Sequence, residues 1–144
     1  MSKLIDLYKN LKQENPETLY LFKSGLFYIF LDEDAKLISN IFSLKLTNLN
    51  SSFVKCGFPA NSLNKYMKIL NCTQYEVKII DNTTNTTLTP KEFELNQNTI
   101  NLLKTISNID NNNLSIKEAY DFISDIKNVA NKILKEVNKN EAKN

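Results

Sequence analysis

The chain has no histidine and no arginine, and only two glycines and two cysteines. Each shortage excludes something. Without histidine, a metal site would have to be built from Asp, Glu or the two cysteines, and none of these falls at ligand spacing. A serine or cysteine nucleophile would also lack its commonest activating base. Two glycines, Gly25 and Gly57, cannot build a glycine-rich phosphate cradle, so ATP hydrolysis by these residues is not expected. All 18 basic residues are lysines, so any phosphate contact would be made by point charges and not by bidentate forks. Cys56 and Cys72 form no motif, as in a reduced, cytoplasmic chain. The longest apolar run, residues 26–31, is too short to span a bilayer. The amphipathic start, broken by Asp6 and Lys9, is not a signal peptide. A net charge of +2 does not by itself demand a nucleic-acid partner. No catalytic residue, metal or cofactor is expected.

What is present is a regular alternation of short patterns. Leu4, Ile5, Tyr8 and Leu11 recur at helical spacing behind Ser2, a candidate cap, and Pro16 disfavours helical geometry at Asn15. Residues 19–36 read as two apolar strands hinged at Ser24-Gly25, followed by an acidic helix start at Asp32-Glu33-Asp34. Carboxylates there suit the positive helix end, a plainer role than acid–base or metal chemistry. That helix should run through Phe42 with Ala35, Ile38 and Ile41 on its apolar face. Leu44 and Leu46 alternate with Lys45 and Thr47, predicting a strand; 48–52 is a polar loop; 53–58 is a further strand stopped by Pro59. Asn61 or Ser62 should cap a helix carrying Leu63, Tyr66, Met67 and Leu70. Tyr75, Val77 and Ile79 alternate with polar residues as a strand with one wet face. Residues 81–87 read as a turn, and Leu88-Thr89 as a last short strand before Pro90.

After Pro90 the character changes. Residues 93–95 have no clear assignment, and a helix is predicted from about Asn96 through Ile106. Ser115 and Glu118 form a capping box in front of a second helix, so Ser115 reads as a cap. Ala119, Phe122, Ile123, Ile126, Val129, Ala130 and Ile133 make an apolar stripe along it that must bury itself on something. Residues 138–144 read as a frayed tail. The expected fold class is therefore α/β: a mixed β-sheet with flanking helices over 1–90, followed by two C-terminal helices over 91–144. The hairpin at Gly25 argues against a purely parallel sheet.

Within 8–90 the order of particular residues carries more. Pro16-Glu17, Leu19, Phe22-Lys23-Ser24-Gly25, Phe27-Tyr28, Asp34-Ala35-Lys36, Leu46-Thr47, Gly57-Phe58-Pro59, Tyr66 and Thr89-Pro90 fall in sequence with few gaps. This pattern resembles the mismatch-recognition domain (domain I) of the MutS family of DNA mismatch repair proteins. A weaker likeness, Leu114-Ser115-Ile116-Lys117-Glu118-Ala119 with Ile126-Lys127, is similar to the segment that ends many MutS ATPase regions, with Ile116 in place of a proline. The two together imply a truncated paralogue, a MutS with its middle removed.

The resemblance implies a mode of binding. In the family an aromatic residue is pushed into the minor groove at a mispaired base, and a glutamate two residues later hydrogen-bonds that base. Phe27 occupies the aromatic position and would supply stacking, worth about 1–3 kcal/mol and tolerant of any base. Ile29 occupies the glutamate position and can neither donate nor accept, so chemical reading of the base is lost. Leu26 replaces a common Asp, Asn61 stands where His is frequent, and Asp81-Asn82 where Glu-Gln is frequent. The resemblance thus implies a standalone, non-enzymatic DNA-binding module with Phe27 as wedge. Lys23, Lys55 and Lys65 would neutralise phosphates, and Asn61 would sit beside them. Its partner would be double-stranded or mismatched DNA, with mismatch specificity weakened by Ile29. Strand parity puts Phe27 and Ile29 on one side and Tyr28 on the other, so an exposed Phe27–Ile29 patch is expected. The alternative is a protein-interaction or regulatory module that keeps the fold without DNA. It would dock a repair protein or a second copy through that patch or the C-terminal helix. Neither reading involves a membrane.

Overall fold

The computed structural model describes residues 2–143, with side chains described for 3–139. The chain divides into two compact units, Met1–Lys91 and Glu92–Asn144.

The first unit is a six-stranded mixed sheet in the order β3-β4-β2-β1-β5-β6. The chain enters through α1 (Ser2–Glu14), makes the antiparallel pair β1 (Leu19–Ser24) and β2 (Phe27–Leu31), and turns into α2 (Asp32–Phe42). The short edge strand β3 (Thr47–Asn48), β4 (Val54–Pro59) and α3 (Leu63–Asn71) follow. Then β5 (Val77–Asp81) returns parallel to β1, and β6 (Thr86–Leu88) closes the far edge. One parallel pairing among four antiparallel ones makes the mixed sheet that the alternation of patterns implied.

Register assigns each side chain to a face. Leu19, Leu21, Tyr28, Phe30, Cys56, Phe58, Val77 and Ile79 oppose one another along the ladders. On that face lie α2 and α3: the Cys56 thiol donates to the Ala35 carbonyl at 3.4 Å, and the Tyr66 ring stacks on Phe58 at 4.1 Å. The other face carries Tyr20, Phe22, Ile29, Leu31 and Ile80, packed with Tyr8, Leu4, Leu7 and Leu11 of α1 and with Leu49 and Phe53. Burial on both faces explains why β1 and β2 read as nearly continuous apolar runs.

Several boundaries differ from the expected ones for identifiable reasons. The third strand is Thr47–Asn48, overlapping the expected 44–47 only at Thr47, because α2 ends in a left-handed Ser43 (φ 55°) and the Leu44 N–H still folds back on the Ser39 carbonyl at 3.1 Å. Neither Asn61 nor Ser62 caps α3 with its side chain; a 3-10 turn, Ala60–Ser62, leads into the helix instead. β5 begins at Val77, leaving Tyr75 exposed.

The helix α4 (Pro90–Ser107), which begins two residues ahead of the second unit, starts six residues before the periodicity becomes visible, since Pro90 at the first helical position needs no N–H partner. Asp110 caps a 3-10 turn, Asn111–Asn113, its carboxylate accepting the Asn112 N–H at 3.1 Å. The Ser115 hydroxyl accepts the Glu118 N–H at 3.1 Å, one half of the predicted capping box, in front of α5 (Ile116–Lys143). This helix continues to Lys143, through most of the stretch read as a frayed tail; Asn144 lies outside the described residues. Phe122, Ile126, Ala130 and Ile133 of the expected stripe are half-buried, whereas Ile123 and Val129 are exposed.

Candidate nucleic-acid interface

The ends of four strands meet at one end of the sheet: β1 at Ser24, β2 at Phe27, β4 at Pro59 and β5 at Asp81. Ser24 pairs with Phe27, so the β1–β2 connection is a two-residue turn, Gly25-Leu26. Gly25 takes φ +60°, the positive value that a hairpin turn of this length requires at its first central residue when the second stays negative. Leu26 is therefore the turn itself and not part of a strand, and it is 81% exposed. Its backbone is nevertheless fixed, because its carbonyl accepts the Ala60 N–H at 2.8 Å. Phe27, the first residue of β2, is 51% exposed and pairs with Pro59.

The neighbours of Phe27 are anchored inward. Tyr28 faces the α2–α3 side, stacked on Phe58 at 6.1 Å, with Tyr66 and then Phe42 continuing the row at 4.1 and 5.0 Å. Burial pushes the Tyr28 phenol above its usual range, with Lys23 opposing and Asp81 adding to the shift. Ile29 is 6% exposed and belongs to the α1-side core. This corrects the expected Phe27–Ile29 patch: parity does put the two on one side, but α1 covers that side from Ile29 onward. The exposed apolar pair is Leu26-Phe27. Gly57, opposite Ile29, has no room for a side chain: a Cβ would collide with the Tyr28 carbonyl oxygen and lie 2.8 Å from Ile29 Cγ2. Glycine here lets β4 approach β2 closely enough to carry Pro59 and Ala60 to the turn.

The polar candidates are distributed unequally around this tip. Asn61 is exposed in the 3-10 turn directly after Ala60. Lys65 is exposed four residues further on, its ammonium 5.5 Å above the Tyr66 ring. Lys23 lies on β1 two residues before the turn, opposite Tyr28 and so on the α2–α3 side, 3.5 Å from an Asp81 carboxylate oxygen. Asp81 is held below the usual carboxylate range, chiefly by the Thr83 hydroxyl and N–H and with help from Lys23. Lys55 pairs with Leu31 at the other end of the β2–β4 ladder, four residues from Pro59, or ~13 Å along the strand. Phe27, Asn61, Lys65 and Lys23 thus share one end of the sheet, and Lys55 does not.

One residue of consequence was missed in the sequence. Asp34 appeared as the third of three helix-start carboxylates, yet it is only 2% exposed. It accepts the Tyr20 N–H at 3.0 Å and the Lys12 ammonium at 2.9 Å, and Lys12 also donates to the Thr18 carbonyl at 2.8 Å. One buried carboxylate thereby ties α1, β1 and α2 together behind the hairpin. The sequence signals were its position, three residues after the strand ends, where a helix N-terminus returns over the sheet, and its place in the Asp34-Ala35-Lys36 match. Glu33, beside it, is exposed and pairs with Lys36. Among the described residues no group of three His, Cys, Asp or Glu gathers to hold a metal ion, and no helix is long and apolar enough to cross a membrane.

The sheet unit is thus an α/β domain with an apolar turn, Leu26-Phe27, exposed at one end. Comparison with known proteins gives the particular family: residues 2–111 match the family model for MutS domain I, and the chain belongs to that family. The match runs beyond Thr89-Pro90 through α4 and stops before Leu114. Relatives include the DNA mismatch repair protein MutS of Petrotoga mobilis, 35% identical over 81 residues, which is 56% of this chain and 10% of that protein. MutS of Thermotoga petrophila is 33% identical over 78 residues, 54% of this chain and 10% of the relative. MutS of Rickettsia typhi is 34% identical over 84 residues, 56% and 9% respectively. The aligned stretch therefore amounts to about a tenth of the length of these curated relatives.

Proposed function

We propose that this chain binds duplex DNA through the hairpin end of its sheet. In this reading Phe27 enters the minor groove at a mispaired or easily deformed step. The observation that carries the reading is the mounting of Phe27: half its surface is exposed at a strand end, while both of its neighbours' backbones are held by β4 and Ala60. A strand end whose backbone is fixed before binding loses little backbone entropy on insertion. Stacking then contributes about 1–3 kcal/mol against an unstacking cost of a few kcal/mol that mispairing lowers. Asn61 and Lys65, exposed just after Ala60, would meet the sugar–phosphate backbone, joined by Lys23 once DNA competes with Asp81. Lys55 would reach only a more distant phosphate. Ile29 is buried as well as apolar, so the glutamate's role passes to no side chain. The preference for mispaired duplex then comes from deformability and not from base chemistry. No catalytic step is assigned to the chain.

The test is a titration of matched and mispaired duplexes at two salt concentrations. Mispaired duplex should bind more tightly, with a slope of log affinity against log salt of about −2 to −3 for three neutralised phosphates. Phe27→Ala should weaken mispaired binding by about 5- to 100-fold and leave matched binding nearly unchanged. Absence of binding to either duplex at low salt would overturn the reading.

A second reading is favoured by one specific observation. Along α5, Ile116, Tyr120, Ile123 and Leu134 are exposed, Ile116 by 92%. Such a row suits a protein partner, a repair protein or a second copy, and a module that had left DNA behind would use it. Sedimentation of the chain alone tests the second-copy form.

A further inference from the structure

We infer that Leu26 is a second inserting residue, and that the ligand class this hairpin selects is duplex DNA already unstacked at one step, whatever bases stand there. The inference deepens the DNA-binding reading above and rests on it. Leu26 has no role in holding the fold: it is the most exposed large apolar side chain of the sheet unit, and the turn's conformational requirement falls on Gly25, not on it. Its backbone is clamped from both directions, by the Ala60 N–H on its own carbonyl and by the Phe27–Pro59 pairing one residue on. Leu26 and Phe27 together form a two-residue apolar prow on a fixed mount.

The chemistry around the prow narrows what it can distinguish. Ile29 is sealed in the core, and Tyr28 is held in the ring row against Phe58. Asp81 is occupied by the Thr83 hydroxyl and N–H. On β2 the one polar side-chain atom described is the Tyr28 hydroxyl, and register puts it on the face opposite Phe27. Two apolar groups gain by leaving water, equally against any base, and lose by separating stacked bases. The discriminating quantity is the unstacking cost alone. Affinity should then rank sites by how little it takes to open them. An abasic gap should bind best, an unpaired base next, a mispair after that and a matched step last. Mispairs of equal thermal stability should bind alike.

The experiment measures anisotropy of labelled duplexes with a matched step, two mispairs of equal melting temperature, one unpaired base, or a tetrahydrofuran abasic site. The proteins are the whole chain, Leu26→Ala and Phe27→Ala. A 2-aminopurine beside the site reports unstacking. The expected result is an abasic-site affinity at least as high as any mispair, and the two mispairs within about twofold. Leu26→Ala should cost about tenfold on every unstacked site and little on matched duplex, with a smaller rise in 2-aminopurine emission. Unchanged melting of the variant protein would confirm that the loss is one of contact. If Leu26→Ala binds like the parent while Phe27→Ala fails, Leu26 does not insert, and the reading with Phe27 alone survives. If the mispairs differ by tenfold or more, a base edge is being read and the proposed ligand class is wrong. If no duplex binds, both readings fall together.

Discussion

Replacing Lys12 by methionine keeps the aliphatic stem that lies between α1 and the sheet and removes the charge facing Asp34. Asp34 would then retain one hydrogen bond, from the Tyr20 N–H at 3.0 Å, and lose the ammonium at 2.9 Å; the Thr18 carbonyl would lose its donor as well. A carboxylate that is 2% exposed cannot recover the missing partner from water. Breaking such a pair from one side costs about 3–5 kcal/mol, a large share of the roughly 5–15 kcal/mol that holds a domain together. The double variant Lys12→Met/Asp34→Asn should be more stable than Lys12→Met, because the amide carries no charge to strand. The pH dependence has a definite sign. Burial holds the Asp34 carboxyl above its usual range, against the opposing effects of Lys12 and the Tyr20 N–H and with a small contribution from Asp32. Without Lys12 it must rise further. The folded state then binds the proton more tightly than the unfolded chain, so stability is lost as pH increases from about 4 through the raised folded value. Urea unfolding of Lys12→Met should therefore show a deficit against the parent that grows as pH rises from the parent's folded value to the variant's higher one and is level above both. A deficit under about 1 kcal/mol, or one independent of pH, would refute the reasoning and make the pair a surface-like contact.

Two further perturbations probe the mount of the hairpin and the interior behind it. Gly57→Ala sets a methyl group against the Tyr28 carbonyl and Ile29, so it should lower stability by about 1–3 kcal/mol or more. Gly25→Ala meets open space and pays only for its φ of +60°, about 1–2 kcal/mol; thermal melting in which Gly25→Ala is the worse of the two would contradict the close β2–β4 approach. Cys56 is buried and its thiol is pushed up to about 11 by desolvation, whereas Cys72 is exposed. At pH 8 iodoacetamide should label the native chain once, at Cys72, and the unfolded chain twice, as counted by mass spectrometry; rapid native labelling at both would show that the α2–β4 contact opens.

Much of the fold was legible because its signals are local. The 3.6-residue spacing of Leu4, Ile5, Tyr8 and Leu11, the acidic start at Asp32 and the Ser115–Glu118 box each involve residues within one or two turns of one another. All three helices stand where those patterns put them. The elements that shifted are those whose limits are set by partners far away. β3 moved because pairing with β4 at Thr47–Lys55 and Asn48–Val54 decides where it lies. α4 began early because proline at a first helical position leaves no periodicity to see.

For the candidate site the division is sharper. Residue type and order alone placed Phe27 beside a glycine turn, set Ile29 at the position where the resemblance expects a glutamate and led to the family that the chain belongs to. They could not say that α1 would cover Ile29 while leaving Phe27 half in solvent, since strand parity gives the two the same side. Nor could they separate Lys55 from Lys65, or distinguish the buried Asp34 from exposed Glu33 beside it. Parity and spacing describe one element at a time. Burial depends on what another element, distant in the chain, brings to rest against it, and only the assembled sheet with α1 across one face supplies that.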